Sequence, residues 1–489
     1  MSHRPNRQHR TILKQIAHRV LKENTLLYEF SEQVWDEVRH MHKQQALGNA
    51  VVHDMRNLIW CSIDNDDSKD LDQLSYAEEL PGNKTKVIVA VADVDALVQL
   101  ETATNDHALQ NTTSIYTVPE VFPMLPEQLS TDMTSLNFES DRLAIIIEMV
   151  VEENGAVTDY KVYQGWVRNH AKLAYNSVAA WLDGTREMPD EINAVPKLKE
   201  NLILQDKVAH AMKELRHEHG ALELETPESS AVFDQEELLD LVPEESNRAK
   251  NLIEDFMIAT NGVVARFLAS KGISSFRRIV KTPERWDRIV EIAAEHGYKL
   301  PAQADSKSLN EFLLYMKKKN PLNFPDVSLS VIKLLGPGEY VVEQPHQEAI
   351  GHFGLAVKDY THSTAPNRRY PDLITQRLVK AALNGKATPY GTEDLEMLAT
   401  HCTQVENIVK KVERQIDKSA AALLLESRIG QYFDGYITGS APKGTWVRIL
   451  HPHVEGKVIE GEKGLDVGQH VRVQLVSTDV EHGHIDFKI

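Results

Sequence analysis

The spacing of apolar positions along this 489-residue chain predicts a mixture of helices and strands. Apolar residues recur at helical intervals over 11–23, 34–41, 252–269 and 372–383, and along a long amphipathic stretch over 393–427. Continuous apolar runs at 87–92 and 143–150 predict buried strands. From 433 to 473 short strand-like runs alternate with glycine turns, which is typical of a small β-barrel. We therefore predict an α+β chain with a mixed-sheet main domain.

This pattern predicts four regions. Residues 1–53 would form a small helical or winged-helix-like N-terminal domain, which is locally basic, and 54–390 the main domain. Residues 391–428 would form a long connecting helix, on which Lys410, Arg414 and Lys418 make a basic stripe spaced by four. That stripe is either a solvated face or a phosphate-binding surface. Residues 429–489 would form the barrel.

Composition and charge narrow the class of protein. The chain has 72 acidic against 54 basic residues, a net charge of −18, so its overall field should repel a polyanion. Much of the excess lies in 223–245, a segment without Lys or Arg that we interpret as a solvated outer face. No apolar run approaches the length of a membrane span, so no membrane association is expected. Two cysteines, Cys61 and Cys402, exclude a disulfide framework and suggest a reducing, cytoplasmic setting.

The most specific chemistry lies in residues 63–73, where five carboxylates follow the apolar run 58–61. They are Asp64, Asp66, Asp67, Asp70 and Asp72. Oxygen ligands without Cys or His suit Mg²⁺ or Mn²⁺ rather than zinc. A solvated acidic turn is the alternative. A calcium loop does not fit, because Lys69 occupies the position that needs Gly and Ser75 the position that needs Glu.

Four ordered blocks of residues resemble the RNB family, the ribonuclease II and ribonuclease R exoribonucleases. Asp64, Asp70 and Asp72 match three of that family's four metal-site aspartates. The other blocks are 123–130 with 135–137, 253–261, and 352–355 with 360–373. The last is similar to the family signature HFGL…YTHFTSPIRRYxDL, with Ser363, Ala365 and Asn367 replacing Phe, Ser and Ile. The main domain is then expected to be RNB-like, and the barrel an OB-fold that binds RNA.

The resemblance implies a metal-dependent 3′→5′ exoribonuclease that hydrolyses single-stranded RNA to nucleoside 5′-monophosphates, and we expect a monomer. Mg²⁺ (or Mn²⁺) would be held by Asp64, Asp70, Asp72 and Gln73. Asp72 and Arg368 would be catalytic, with Arg368 against the scissile phosphate; the alternative for Arg368 is an internal salt bridge with Asp372. Implied RNA contacts are Tyr116, Tyr175, Leu224, Glu254, Arg369, Tyr436 and Trp446. Of these, Tyr436 and Trp446 could equally belong to the barrel core.

Three departures from the family keep a second hypothesis open. Gln73 replaces the fourth aspartate, and an amide can ligate Mg²⁺ but carries no charge. Leu224 stands where the family has the Phe that faces Tyr116 across the terminal base, and the paired cold-shock barrels are missing. The alternative is therefore a catalytically weakened RNB-like protein that binds RNA as a regulator.

Overall fold

The structure is a computed structural model that describes residues 8–41, 51–225, 229–243, 246–321, 324–347, 349–441, 443–465 and 467–489. The helices are α1 (His9–Glu23), α2 (Glu32–His40), α3 (Ala103–Asn111), α4 (Tyr175–Leu182), α5 (Asp190–Asn193), α6 (Leu198–Glu218), α7 (Arg248–Ser270), α8 (Trp286–Glu295), α9 (Ser306–Lys319), α10 (Phe324–Leu335), α11 (Tyr370–Leu383) and α12 (Thr392–Leu425). None of the helices so described is long and apolar enough to cross a membrane.

The described strands belong to one large sheet, three two-stranded sheets and a barrel. They are β1 (Val52–Asp54), β2 (Cys61–Asp64), β3 (Gln73–Leu80), β4 (Lys84–Ala92), β5 (Ile115–Tyr116), β6 (Val121–Phe122), β7 (Asp141–Val151), β8 (Val157–Arg168), β9 (Ala171–Ala174), β10 (Ser229–Asp234), β11 (Glu237–Pro243), β12 (Ser275–Ile279), β13 (Glu339–Glu343), β14 (Tyr432–Ala441), β15 (Gly444–Ile449), β16 (Val454–Glu460), β17 (His470–Asp479) and β18 (His484–Lys488).

A seven-stranded mixed sheet forms the centre of the main domain, in the order β1-β8-β7-β4-β3-β2-β9. The β1–β8 and β2–β9 pairs are parallel and the other pairs antiparallel. The predicted strands at 87–92 and 143–150 lie at its middle as β4 and β7, where both faces are covered, so their residues are nearly all apolar. Helices α6 and α7 pack on the sheet. The mixed-sheet α+β prediction is confirmed.

The C-terminal strands close a five-stranded barrel in the order β14-β15-β16-β18-β17, as predicted for an OB-fold. Alternate residues point inward; in β15 these are Thr445, Val447 and Ile449. The long helix α12 precedes the barrel, and its stripe of Lys410, Arg414 and Lys418 is solvent-exposed.

The N-terminal part described, 8–41, contains two helices and no strand. Helix α1 buries Ile16, Val20 and Leu21 against apolar side chains of α12, so its core is shared with that helix. The acidic segment was expected to be a solvated face, but its described residues include the hairpin β10–β11, which buries Leu238 and Leu241 beside Leu13 of α1 and the barrel. The remainder of that hairpin is largely exposed.

Candidate active site

The acidic loop connects two neighbouring strands of the sheet, because β2 ends at Asp64 and β3 begins at Gln73. The loop backbone is fixed by the block 135–137. The Ser135 hydroxyl donates to the Lys69 carbonyl at 2.9 Å and accepts from the Leu71 amide at 2.9 Å. The Leu136 amide donates to the Leu71 carbonyl at 2.9 Å. Asp70 and Asp72 therefore lie on either side of Leu71, whose backbone these hydrogen bonds fix.

Asp72 is the buried member of the cluster, with 2% of its surface exposed. Its Oδ1 accepts from the Asn367 amide at 3.2 Å, and its Oδ2 accepts from Nε of Arg368 at 3.1 Å. Burial raises the pKa of Asp72 to about 7, and nearby Asp70 adds to the rise, while Arg368 and the Asn367 amide oppose it. Two donors leave the carboxylate with unused lone pairs in a desolvated site.

Arg368 lies in the turn 366–368 just before α11 and reaches Asp72 across 296 residues of sequence. The alternative that we considered, a salt bridge to Asp372, is formed by Arg369 instead, with Nη2 at 2.8 Å from Oδ1. The Arg368 side chain is 40% exposed, and its Nη1 and Nη2 form no hydrogen bond with any described residue. Its outer edge can therefore bind an anion.

Tyr116 and Tyr175 lie at the same site. Burial raises the pKa of the Tyr116 hydroxyl to about 12, and the charges of Arg368, Asp70, Asp72 and Asp64 all act on it. Burial also raises the pKa of Tyr175, on which Asp64 and Arg368 act. Asp64 itself has a raised pKa because of burial and the neighbouring Asp70, although Arg368 and the Asn65 amide lower it. These mutual interactions bring five predicted site residues together around Arg368.

The other members of the acidic loop differ in exposure. Gln73 is half-buried at the start of β3, and its side chain makes no hydrogen bond with a described residue. Asp66 and Asp67 are both solvent-exposed at the tip of the loop. The loop thus presents one buried aspartate, two half-buried ones and an exposed pair.

The oxygen donors suit Mg²⁺ in kind. A divalent cation would offset the desolvated charges of Asp64 and Asp72, whose pKa values burial has raised. Within the described part of the chain, no three His, Cys, Asp or Glu side chains are arranged so that they hold an ion as they stand. Arg368 already takes Oδ2 of Asp72. The set therefore matches Mg²⁺ in chemistry, and binding would redirect at least one carboxylate.

The other predicted RNA contacts of the main domain are Leu224, Glu254 and Arg369, and Arg369 directly follows Arg368 in the chain. Leu224 is half-buried and packs on the core of α8–α10. On either side of it, the Glu223 backbone amide donates to Oδ1 of Asn310 at 2.8 Å and the Glu225 backbone amide donates to Oγ of Ser328 at 2.7 Å. Glu254 is exposed on α7. Arg369 is mostly buried with Asp372. That Leu224 faces Tyr116 across the terminal base of the RNA stays a prediction.

Tyr436 and Trp446 lie on the outside of the barrel, between inward-pointing neighbours in β14 and β15. Trp446 pairs with Gly439, where an added Cβ would come within 3.2 Å of the indole ring, so the glycine leaves room for the ring against the strand. Tyr436 meets His470 edge-on with ring centroids 5.1 Å apart. Both rings are half-exposed surface residues rather than core.

Sequence reasoning missed two residues that shape the site. The Asn367 backbone amide contacts Asp72, while its side chain accepts a hydrogen bond from Thr134. Glu413 of α12 accepts from the Tyr116 amide at 2.9 Å. The block 360–373 pointed to the first, since Asn367 precedes Arg368. No sequence signal singled out Glu413, which is one of many acidic residues on a long helix.

This fold and site define a class. The RNB domain model matches residues 52–385, and the model of the RNase II-type exonuclease C-terminal S1 domain matches 431–489. Because the first match alone covers more than half of the chain, the chain belongs to the RNB family.

Among its relatives, the chain is 29% identical over 464 residues to ribonuclease R of Aquifex aeolicus (strain VF5), covering 89% of this chain and 64% of that protein. It thus spans less than two thirds of that relative's length. Its fold is similar to that of Mycoplasma genitalium RNase R in complex with ribose methylated single-stranded RNA (TM-score 0.88, 22% identity, 98% of this chain and 78% of that one). Yeast Ssd1, described as a pseudonuclease, shares the fold at TM-score 0.66 and 14% identity, covering 91% of this chain and 55% of that one.

Proposed function

We propose that this chain is a metal-dependent 3′→5′ hydrolytic exoribonuclease that degrades single-stranded RNA to nucleoside 5′-monophosphates. One observation carries the proposal: buried Asp72 is paired with a half-exposed Arg368 whose outer nitrogens are free to meet a phosphate. The relatives named ribonuclease R support it. So does the similar fold of an RNase R in complex with ribose methylated single-stranded RNA.

Arg368 would bind the scissile phosphate through Nη1 and Nη2 while Nε stays on Asp72. A guanidinium held at one edge presents a planar pair of donors, which matches two phosphate oxygens. The salt bridge to Asp72 orients the fork before substrate arrives, so little reorganisation is needed as charge builds on the phosphate. Asp72 in this role positions Arg368 as well as serving the cation site.

Asp64, Asp70 and Asp72 would hold Mg²⁺, with Gln73 at the edge of the set. The bound ion would polarise the attacking water and neutralise part of the phosphate charge. The raised pKa values of Asp64 and Asp72 support this assignment, since a cation would restore their ionised forms. The family's fourth acid is an uncharged amide here, so the three aspartates would supply all the negative charge.

Tyr116 would stack on the 3′-terminal base. It is 46% exposed and sits within the electrostatic reach of Arg368 and all three aspartates, so a base on its face would bring the last phosphodiester towards them. Hydrolysis from this end would release one nucleotide at a time. Tyr436 and Trp446, partly buried on the outside of the barrel, would bind bases further along the strand.

The test is to incubate purified protein with Mg²⁺ and 5′-labelled single-stranded RNA and to follow the product ladder and the released nucleotides. Progressive shortening from the 3′ end with 5′-monophosphates as products is expected. Asp72→Asn should remove this activity, whereas Asp67→Asn, a matched change at an exposed position of the same loop, should retain it.

The second candidate is a weakened RNA-binding protein, which Gln73 favours. Under it, wild-type protein would bind RNA without shortening it, and Gln73→Asp would create or strongly raise the activity. Shortening by wild-type protein that Asp72→Asn abolishes would exclude this candidate.

A further inference from the structure

The hairpin that carries Tyr116 has two distinct faces; we call residues 113–122 the Tyr116 hairpin. Strands β5 and β6 pair Ile115 with Phe122 and Tyr116 with Val121. Ile115 and Phe122 are buried in an apolar cluster with α1 and α12. Tyr116 and Val121 are 46% and 51% exposed on the opposite face. The position of the Tyr116 ring is therefore set by what holds the buried face and the turn.

Helix α1 reaches the turn of this hairpin with three basic side chains spaced by four. Nη1 of Arg10 donates to the Pro119 carbonyl at 3.0 Å. Nζ of Lys14 lies 3.1 Å from Oε2 of Glu120, and Nε2 of His18 lies 3.0 Å from Oε1 of the same carboxylate. The Glu120 side chain is 26% exposed, so these contacts are partly shielded from water.

The turn is also held by hydrogen bonds within it, and the adjacent strand is held by packing of aromatic rings. The Glu120 carbonyl accepts from both the amide and the hydroxyl of Thr117. The His18 ring meets Phe122 edge-on at 5.6 Å and stacks on Tyr28 at 4.9 Å. One helix face thus contacts the turn through charge and the adjacent strand through an aromatic ring.

The hairpin connects α1 with the site in two ways. Glu413 accepts from the Tyr116 amide at 2.9 Å. At the other end the Arg368 carbonyl accepts from the Ser114 amide at 2.9 Å and from the Thr113 hydroxyl at 3.0 Å. A shift of the hairpin would therefore move Tyr116 and disturb the backbone of Arg368 together.

We propose that α1 clamps the Tyr116 hairpin through Glu120, and that Glu120 is a positioning residue for the grip on the RNA 3′ end. Lys14 and His18 hold its carboxylate, which fixes the turn and so the Tyr116 ring. This inference rests on the proposed function of Tyr116. The consequence is specific: loss of the clamp should weaken the grip on short RNA, which depends on Tyr116, more than the grip on long RNA, which has other contacts.

The first measurement needs no activity. Amide hydrogen exchange of free wild-type protein, Glu120→Ala and Lys14→Ala is compared over residues 113–122. Loss of these partly exposed ion pairs should speed exchange of this segment by about two- to fivefold. The double variant should be no faster than Glu120→Ala alone, since both changes remove the same contact. Unchanged exchange in Glu120→Ala would overturn the clamp.

The second measurement connects the clamp with RNA. In an Asp72→Asn background, which prevents hydrolysis, Glu120→Ala should weaken binding of a short oligoadenylate about two- to fivefold and leave that of long oligoadenylate nearly unchanged. Equal weakening of both lengths would overturn the positioning role, since a merely structural defect affects them alike. Arg19→Ala is the matched control: this α1 residue pairs with Glu23 and Glu481, away from the hairpin, and should change neither measurement.

The two proposals can fail separately. If wild-type protein shortens no RNA while the exchange and short-RNA results hold, the hydrolytic function fails and the clamp stands. If RNA is shortened normally while exchange is unchanged in Glu120→Ala, the clamp fails and the hydrolytic function stands.

Discussion

Replacing Asp72 by asparagine should raise the stability of the metal-free protein at neutral pH while it removes hydrolysis. Asp72 is buried, and its pKa is raised to about 7 from 3.8. The folded state therefore disfavours the ionised form. Below about pH 4 Asp72 is protonated in both the folded and the unfolded state, and its stabilising contribution to folding is complete. That contribution is lost as the pH rises through about 7, where Asp72 becomes ionised in the folded state as well. Asparagine resembles the protonated side chain in shape and carries no such cost.

The magnitude follows from the shift. The difference between 7 and 3.8 corresponds to about 4 kcal/mol above neutral pH, since each pKa unit is worth about 1.4 kcal/mol. Arg368, which loses its partner in the variant, is 40% exposed and can be hydrated, so its loss offsets only part of this gain. For a domain of this size, about 2–4 kcal/mol corresponds to a rise of about 3–6 °C in Tm.

The assay is thermal unfolding of wild type and Asp72→Asn in EDTA at about pH 5 and about pH 8, repeated with Mg²⁺. The difference in Tm should be small at the lower pH and favour the variant at the higher pH. Mg²⁺ should then raise the Tm of wild type more than that of the variant, because only wild type offers the ionised ligand. RNA binding should be largely retained in the variant, which keeps every basic side chain that could bind phosphate.

Two results would refute the reasoning. A Tm difference that does not change with pH would mean that Asp72 has an ordinary pKa, so that its pairing with Arg368 outweighs its burial. An equal response of both proteins to Mg²⁺ would mean that Asp72 is not a ligand, whatever happens to hydrolysis. Asp67→Asn, at an exposed position, serves as the control and should show neither effect.

The remaining predictions concern turnover, substrate and product length. Arg368→Ala should lower kcat by about 2–4 kcal/mol in activation free energy with little change in Kd, and equal losses would mark a structural residue. If one strand must thread to the site, blunt duplex RNA should resist degradation and circular RNA should not be cut; gel assays of both would contradict this if either is consumed. Tyr116→Ala should lengthen the final product, because one base stack is worth about 1–3 kcal/mol. Leu224→Phe should shorten the product. If both variants leave the product length unchanged, neither residue sets the length at which degradation stops.

The elements that the sequence predicted well are those with a long regular pattern. Helix α12 was expected over 393–427 and spans Thr392–Leu425, because its apolar stripe persists over many turns. Strands β4 and β7 were expected because strands covered on both faces are almost wholly apolar. In the barrel, four strands were anticipated from glycine-separated runs. Strand β18 was not, although Gly483 directly precedes it, because His484–Lys488 is short and its residues show no continuous apolar run.

The acidic segment shows where composition misleads. Its excess charge favoured a solvated face, and most of the described hairpin β10–β11 is exposed as expected. Two leucines nevertheless fix it against α1 and the barrel. Burial of these two side chains is worth about 1.5–3 kcal/mol each, and the partly buried Ala231 and Phe233 pack against the same cluster. A count of charges cannot reveal so small an anchor.

The sequence predicted which residues belong to the site, but not which of them pair with each other. The spacing of Asp64, Asp70 and Asp72 and the block around Arg368 marked them, but the salt bridge between Asp72 and Arg368 joins residues 296 positions apart. Local patterns contain no information on such a pairing, which the whole sheet has to bring about. For the same reason the alternative considered for Arg368 was a salt bridge with Asp372, four residues away, whereas the structure pairs Asp372 with Arg369.

The effect of Gln73 on the site depends on the charges of these neighbouring residues. The site already contains three aspartates near one arginine, and burial together with Asp70 raises the pKa of Asp72. A fourth carboxylate at position 73 would add like-charge repulsion and favour protonation of Asp72 further in the metal-free state. An amide avoids that cost, but it also removes a quarter of the negative charge that attracts a cation. The substitution therefore lowers the affinity for Mg²⁺ and raises the stability of the metal-free site, so half-maximal activity should require a higher Mg²⁺ concentration than at a four-aspartate site.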